Sequence, residues 1–218
     1  MKNGTLLFLG LAAAFTVSWG GMVLGPNGQL GSLAPYFDEG ETSTFPARPP
    51  GTASRGQLVY ADLGCISCHT QQVRRADFGS DKDRGWGERQ SVARDYIFQV
   101  RPQLGTQRLG PDLANLAARK PEAPTSDALM QLLYNGSANH PAYKFLFEDR
   151  EIAGERSNKA LAVATEAGHE IVPTERAQSL VSYLLSLNSP YQYPEARALE
   201  KPAAKGHGEA AHKAEEKK

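Results

Sequence analysis

Two cysteines and a histidine in the first third of the chain have the spacing of a covalent haem site. Cys65, Cys68 and His69 form a Cys-x-x-Cys-His sequence, in which each thiol can form a thioether with one edge of a porphyrin. The adjacent imidazole can then reach the iron as its proximal ligand. The spacing therefore predicts one covalently bound haem c, with these three residues as its binding residues.

Three other kinds of cysteine site could in principle use the same residues. The chain has only 2 cysteines, which excludes a zinc site built from two cysteine pairs and a disulfide to any cysteine outside the motif. A thioredoxin-like redox pair remains an alternative. It requires a preceding strand within a βαβ pattern, and the sequence around Cys65 shows none.

The composition gives no support for nucleic-acid binding and indicates a loop-rich domain. The 218 residues carry a formal net charge of 0, and no basic stripe with interleaved aromatic residues is present. Glycine (21 residues) and proline (14 residues) are abundant enough to predict long loops. A haem can hold such loops, because its faces replace part of the apolar core that a small domain lacks.

An apolar segment at the N-terminus predicts a membrane anchor. Residues 6–24 contain no charge and would span roughly 29 Å as a helix, close to the thickness of the bilayer core. Lys2 is the only charge before them, which predicts that the N-terminus lies inside and the haem domain outside, on the periplasmic side. A cleaved signal peptide is the alternative. The length of the apolar run and the lack of a small-x-small cleavage site favour the retained anchor.

The remainder of the chain is expected to form a tether, a folded domain and a tail. Residues 1–24 would be the transmembrane anchor, and the five prolines of residues 25–51 predict an extended, irregular tether. The folded haem domain is expected over residues 52–194. Residues 195–218 are rich in Ala, Lys, Glu and Gly, which predicts a disordered, charged tail.

Three helices and no strand are predicted in the domain, so the predicted fold class is all-α with an N-terminal transmembrane helix. A capping-box pattern begins a helix over residues 54–63, which leads into the haem motif. Apolar residues at helical spacing predict two more helices, over residues 126–134 and 175–187. Loops with short helical turns are expected over residues 70–120, and irregular chain over residues 137–172.

This order of elements resembles class I cytochrome c. Gly56 and Tyr60 match the pattern by which the first helix of that family crosses its last helix, where Tyr183 would be the partner. Residues 108–113, Arg-Leu-Gly-Pro-Asp-Leu, are a further match. In the family, the carbonyl of this proline, here Pro111, accepts a hydrogen bond from the proximal histidine ring. The resemblance thus implies that Pro111 fixes the orientation of that ring.

A narrower resemblance is to the mono-haem subunit II of cbb3-type cytochrome c oxidases. It rests on residues 64–74 around the haem motif, on Asp95-Tyr96, on residues 108–113 and on the apolar N-terminus. It implies a membrane-bound electron relay with one covalent haem c. Its partners would be the other subunits of an oxidase or respiratory complex and the cytochromes that donate and accept its electrons, and nucleic acid is not among them.

The sequence departs from that family at the sixth ligand of the iron. Where relatives have Met-Pro-x-Tyr, this chain has His-Pro-Ala-Tyr from residue 140. The resemblance therefore implies His69 and His140 as the two metal ligands, and imidazole is a good ligand for iron. Met130, at the border of an apolar helix face, and His169, in a polar segment, are weaker candidates. An iron that is open or binds water is a further alternative.

Two functions of different classes remain open at this point. The first is electron transfer within or to a respiratory terminal oxidase, by a subunit that is not a catalyst alone. The second is a haem enzyme or gas sensor, which needs an iron position that is open to a ligand. A free-standing membrane cytochrome is a variant of the first function, and it stays open because the sequence alone does not reveal surfaces that bind other subunits.

Overall fold

The computed structural model of the protein describes residues 3–196. Nearly all of the predicted tail, which includes His207 and His212, lies outside the described residues. The described chain forms two compact units: one comprises the described part of Met1–Ala47 together with Ala93–Val100, and the other runs from Arg48 onwards without that segment. The predicted boundaries of anchor, tether and domain stay a prediction.

An apolar helix forms the beginning of the first unit. It consists of α1 (Gly4–Trp19), a π-helical turn (Gly20–Leu24) and α2 (Gly25–Leu30). Over its 27 residues the most apolar window has a mean hydropathy of 1.8 and is not buried. A helix of this length extends about 40 Å, more than the roughly 30 Å of a bilayer core. Among residues 3–196 it is the one helix whose length and composition would allow it to cross a membrane.

The chain after the apolar helix is more ordered than the irregular tether predicted for residues 25–51. The helix continues through α2, and a short hairpin follows in which β1 (Tyr36–Asp38) pairs antiparallel with β2 (Ser43–Phe45). One carboxylate oxygen of Asp38 accepts hydrogen bonds from two backbone N–H groups of the turn, at 2.8 and 3.0 Å. A composition rich in proline and glycine thus did not prevent local order here.

The three helices predicted for the second unit are confirmed, with shifts of a few residues at their ends. They are α3 (Gly51–Asp62), α4 (Ser126–Asn135) and α5 (Glu175–Ser186). The hydroxyl oxygens of Thr125 and Thr174 accept hydrogen bonds from the first turns of α4 and α5. The predicted capping box of α3 is wrong: the Ser54 hydroxyl donates to the Pro50 carbonyl, and the N-cap position has no side-chain hydrogen bond.

The prediction of an all-α fold is wrong, because the described residues form a mixed structure, with 38% helix and 10% strand. In addition to the β1–β2 hairpin, β3 (Phe147–Glu151) pairs antiparallel with β4 (His169–Pro173) in the second unit. Neither strand alternates in burial: β3 exposes four consecutive charged residues, and β4 buries four consecutive residues. The alternating pattern that reveals a half-buried strand in a sequence was therefore missing.

The core of the second unit includes the crossing of α3 and α5. At Gly56 the two helices approach so closely that a Cβ atom would lie 1.9 Å from the carbonyl oxygen of Ser179. One turn later, the ring of Tyr60 meets the ring of Tyr183 edge to face, with centroids 5.5 Å apart. Both tyrosines are buried. The predicted contact of Gly56 and Tyr60 with Tyr183 is thus confirmed, and it fixes the helix that leads into the haem motif.

We expect Gly56→Ala to destabilise the second unit by roughly 1–3 kcal/mol or more, the usual effect of overpacking a tight core. The added methyl group would collide with the α5 backbone, which cannot move without separating the two helices. Gly51→Ala in the same helix is the matched control, because a Cβ atom there meets nothing within 4 Å. Denaturant unfolding of both variants measures the difference, and equal stabilities would contradict the close crossing.

Candidate haem site

Cys65 and Cys68 lie on a tight turn immediately after α3. Gly64 adopts a left-handed conformation with φ of 71°, which ends the helix and turns the chain. A 3-10 turn over Cys65–Ser67 follows, and the backbone N–H groups of Cys68 and His69 both donate to the Cys65 carbonyl. The two thiols are free. Burial raises the pKa of Cys65 to about 11, so this side chain is a neutral thiol at physiological pH.

The ring of His69 is held from one side by the loop that contains Pro111. Its Nδ1–H donates to the Pro111 carbonyl oxygen at 2.8 Å, which leaves Nε2 as the ring nitrogen free to bind a metal. The ring also lies directly on Gly110, where a Cβ atom would be 2.3 Å from its Cε1. Burial lowers the pKa of His69. The imidazole is therefore kept neutral, the form in which histidine binds metals.

The buried carboxylate of Asp112 joins the Pro111 loop to the chain after the haem motif. It accepts hydrogen bonds from the Thr70 hydroxyl at 2.5 Å and from the backbone N–H groups of Gln72 and Ala114 at 2.8 and 2.9 Å. Two backbone bonds, Gly110 to Cys68 and Leu113 to Thr70, run between the same segments. These contacts position the Pro111 carbonyl opposite the ring of His69.

A second buried carboxylate, Asp81, supports the same loop through Arg108. The Arg108 guanidinium donates to Asp81 at 2.6 Å and to the Thr70 hydroxyl at 2.8 Å, and its plane lies over the ring of Trp86. Arg74 donates to Asp81 through both its backbone and its side chain. Burial alone would raise the pKa of Asp81, but the hydrogen bonds from these arginines outweigh it and hold that pKa below its usual range.

We expect Asp81→Asn to cost about 3 kcal/mol at neutral pH, because it leaves the buried Arg108 without the closer of its two carboxylate partners, Asp81 at 2.6 Å and Asp112 at 3.4 Å. The pKa of Asp81 is lower in the folded state, so its contribution is present above the unfolded value of about 3.9 and is lost as the pH falls through the folded value. The stability difference between wild type and variant should therefore shrink between about pH 5 and pH 2. Denaturant unfolding across this range measures it.

Asp77→Asn is the control for this prediction. Asp77 pairs with Arg75 on the surface, where both side chains are about half exposed, and such pairs contribute about 0–1 kcal/mol. An Asp81→Asn variant that lost no more stability than this control, or whose loss did not depend on pH, would contradict the role assigned to Asp81.

His140 lies on a tight turn that follows α4. Gly136 ends the helix with φ of 68°, and a Cβ atom there would meet the backbone of His140 and Ala142 at 2.8–2.9 Å. Ser137 and His140 exchange both backbone hydrogen bonds, at 2.8 and 3.2 Å. Pro141 then restricts the backbone of the residue before it. The imidazole is thus presented by a short, well-defined turn.

His69 and His140 face each other across one cavity. Their ring centroids are 6.3 Å apart, and their planes are inclined by 47°. The cavity has a volume of about 940 Å³, within the usual range of about 300–1,000 Å³ for cofactor sites. All predicted site residues line it, namely Cys65, Cys68, His69, Pro111 and His140. Apolar side chains from α4 and α5 complete the lining.

The two weaker ligand candidates lie elsewhere. Met130 is buried in the hydrophobic core and is not part of the cavity lining. His169 belongs to β4, and its Nδ1 is 2.8 Å from a carboxylate oxygen of Asp149; this hydrogen bond raises the pKa of His169. Neither side chain is placed to share a metal with His69.

Two observations test whether these residues fit a haem. Two imidazoles that bind one metal ion from opposite sides, each at the 2.0–2.1 Å typical of zinc, hold their centroids roughly 6 Å apart, which agrees with the 6.3 Å found. Nε of Arg119, a lining residue, is buried without a partner among the described residues, and a porphyrin carboxylate could accept its hydrogen bond. The site fits a haem.

Three residues that shape the site were not identified from the sequence as functional. Gly110 supports the His69 ring, and Asp112 joins two loops. Arg119 is the one Arg or Lys residue among the residues that line the cavity, and its guanidinium donates to the Asp112 carbonyl. The Arg-Leu-Gly-Pro-Asp-Leu match included Gly110 and Asp112 without revealing their contacts. For Arg119, no local pattern carried a signal.

The comparison with protein families gives one match. A family model described as "Cytochrome C oxidase, mono-heme subunit/FixO" matches residues 35–200, which is most of the chain and includes the whole cavity. No curated protein matches the chain.

Proposed function

Because the chain belongs to the family of mono-haem cytochrome c oxidase subunits, we propose that it carries electrons through one covalently attached haem c within a membrane-anchored, cbb3-type respiratory oxidase. Membership of the family implies one haem and association with other oxidase subunits. The observation that supports the electron-carrying role is the pair of imidazoles, His69 and His140, that face each other at 6.3 Å.

The proximal side of the site would attach the haem, and it orients the His69 ring. Cys65 and Cys68 would form the two thioethers, and His69 would bind the iron through Nε2. The bond from its Nδ1 to the Pro111 carbonyl fixes the plane of the ring and increases its basicity. Asp112 and Arg108 keep that carbonyl in place. A ligand that is already oriented does not have to reorganise when the oxidation state changes.

The distal side closes the site. The turn from Gly136 to His140 would supply the sixth ligand, and with the two ring centroids 6.3 Å apart, iron bound by both imidazoles would have no position for an external molecule. A bound haem would supply a one-electron iron couple whose potential depends on its axial ligands. With His69 and His140 on its two faces, a haem held here would be suited to electron transfer rather than to binding an external ligand.

We also propose the arrangement relative to the membrane. The apolar helix Gly4–Leu30 would be retained as a single-pass anchor, and the haem domain would lie on the periplasmic side, because Lys2 is the only charge that precedes the helix. The haem domain would then be held next to the membrane-embedded partners that receive its electrons.

Isolation of the complex tests the proposal. The full chain, carrying a tag at its C-terminus, is purified from its native membranes after an alkaline carbonate wash. We expect it to stay in the membrane fraction and to bring other oxidase subunits with it, and we expect its haem to be reduced by a donor cytochrome and reoxidised when oxygen is added. A chain that purifies without other subunits, or a haem that oxygen does not reoxidise, would contradict the proposal.

A further inference from the structure

The two candidate ligands differ in how their rings are fixed. His69 has a hydrogen bond from Nδ1 to Pro111 at 2.8 Å, whereas Nδ1 of His140 is buried without a partner among residues 3–196. Metal-bound histidines almost always donate their second ring N–H, and this bond sets the orientation of the ring. The orientation of His140 must therefore come from packing.

The side chain that lies against His140 is Tyr143. Their ring centroids are 5.9 Å apart with an inclination of 59°, a tilted contact within the usual range of aromatic pairs. Both rings line the cavity. Tyr143 contacts His140 from the same segment of the chain, whereas the other ring contact of His140 is with His69, across the cavity.

Tyr143 is itself well fixed. Its backbone N–H donates to the carbonyl of Leu133 in α4 at 2.7 Å, its carbonyl accepts from Leu146 at 2.9 Å, and its ring meets Phe145 edge to face. The residue packs against the hydrophobic core. Burial raises the pKa of Tyr143.

We propose that Tyr143 is a positioning residue, whose aromatic ring replaces the missing hydrogen bond of His140 and holds the imidazole on the iron. The inference rests on the proposed binding of iron by His140. Without the ring, the imidazole can rotate about its side-chain bonds and leave the metal more often. External ligands would then gain access to the distal face, although His140 is still present.

The experiment uses the full-length, haem-loaded protein and cyanide as the probe of the oxidised iron. Cyanide can bind only while His140 is dissociated, so its association rate reports how often the imidazole leaves. We expect Tyr143→Leu to raise this rate roughly threefold to tenfold, the weight of one aromatic contact. Tyr143→Phe, which keeps the ring, should retain the wild-type rate.

Tyr134→Leu is the matched control, because Tyr134 is also a half-buried tyrosine but its ring lies on Phe147, with centroids 5.3 Å apart. It should lower the unfolding temperature without raising the cyanide rate. A Tyr143→Leu rate equal to wild type, an equal rise in Tyr134→Leu, or a rise in Tyr143→Phe as large as that in Tyr143→Leu would overturn the inference.

A His140→Ala variant separates failure of this inference from failure of the proposed function. If His140→Ala binds cyanide rapidly while Tyr143→Leu behaves as wild type, His140 is the ligand and only the positioning role of Tyr143 is wrong. If His140→Ala itself leaves the cyanide rate unchanged, then His140 is not the ligand, and the distal coordination in the proposed function fails together with this inference.

Discussion

His140→Ala is expected to convert a closed six-coordinate haem into one that binds carbon monoxide when reduced and cyanide when oxidised. The alanine leaves the distal face without a protein ligand, because no other imidazole or thioether among the described residues lines the cavity opposite His69. Absorption spectra recorded with and without each ligand measure the change. His169→Ala is the control, since that histidine pairs with Asp149 away from the cavity.

His140→Met should keep the iron six-coordinate, in contrast to His140→Ala, and should change its reduction potential. A thioether donates less strongly to ferric iron than imidazole does, so the reduction potential should rise, within the range of about 0.8 V over which axial ligands set haem potentials. A far-red methionine-to-iron band should appear as well. If His140→Ala leaves the spectrum and the potential unchanged, His140 is only a loop residue and the haem enzyme or gas sensor gains support.

The double variant Cys65→Ala, Cys68→Ala is expected to lose covalent haem completely. The two thiols are the only cysteines of the chain, so nothing else can form a thioether. Denatured protein run on a gel should show haem-dependent peroxidase staining for the wild type and none for the double variant. An antibody against the chain shows how much protein each lane contains.

Ser67→Ala, in the same turn, is the control for this prediction and should keep the stain. Each single cysteine variant should keep a weaker stain, because one thioether is enough to hold the group during denaturation. Extraction of the haem from wild-type protein by acidic acetone would refute covalent attachment, whatever the variants show.

The part of the site that the residues alone predicted consists of residues that lie close together in the chain. Cys65, Cys68 and His69 are neighbours in the chain, so one turn of backbone determines where all three point. Pro111 and His140 were placed by the order of motifs in a resembling family, and they line the same cavity as the other three. The helix crossing at Gly56 was accessible for a similar reason, because a glycine and a tyrosine one turn apart mark one helix face.

The parts that the sequence did not predict depend on contacts between distant segments. β3 and β4 have no alternation in burial, and their central pair, Asp149 with Ile171, joins residues 22 positions apart. Asp112 acquires its role only when the Pro111 loop folds onto the chain after the haem motif, where its carboxylate meets Thr70. No window of the sequence contains both partners of such a contact, so periodicity cannot reveal it.

The most direct test of the account is the spectrum of the oxidised wild-type protein, by near-infrared absorption and by electron paramagnetic resonance. Coordination by His69 and His140 predicts a low-spin ferric haem without the far-red methionine-to-iron band. A high-spin signal would show an open distal position and would contradict the electron-carrier account. The methionine band would show that a thioether from Met130 or from a partner occupies the position assigned to His140.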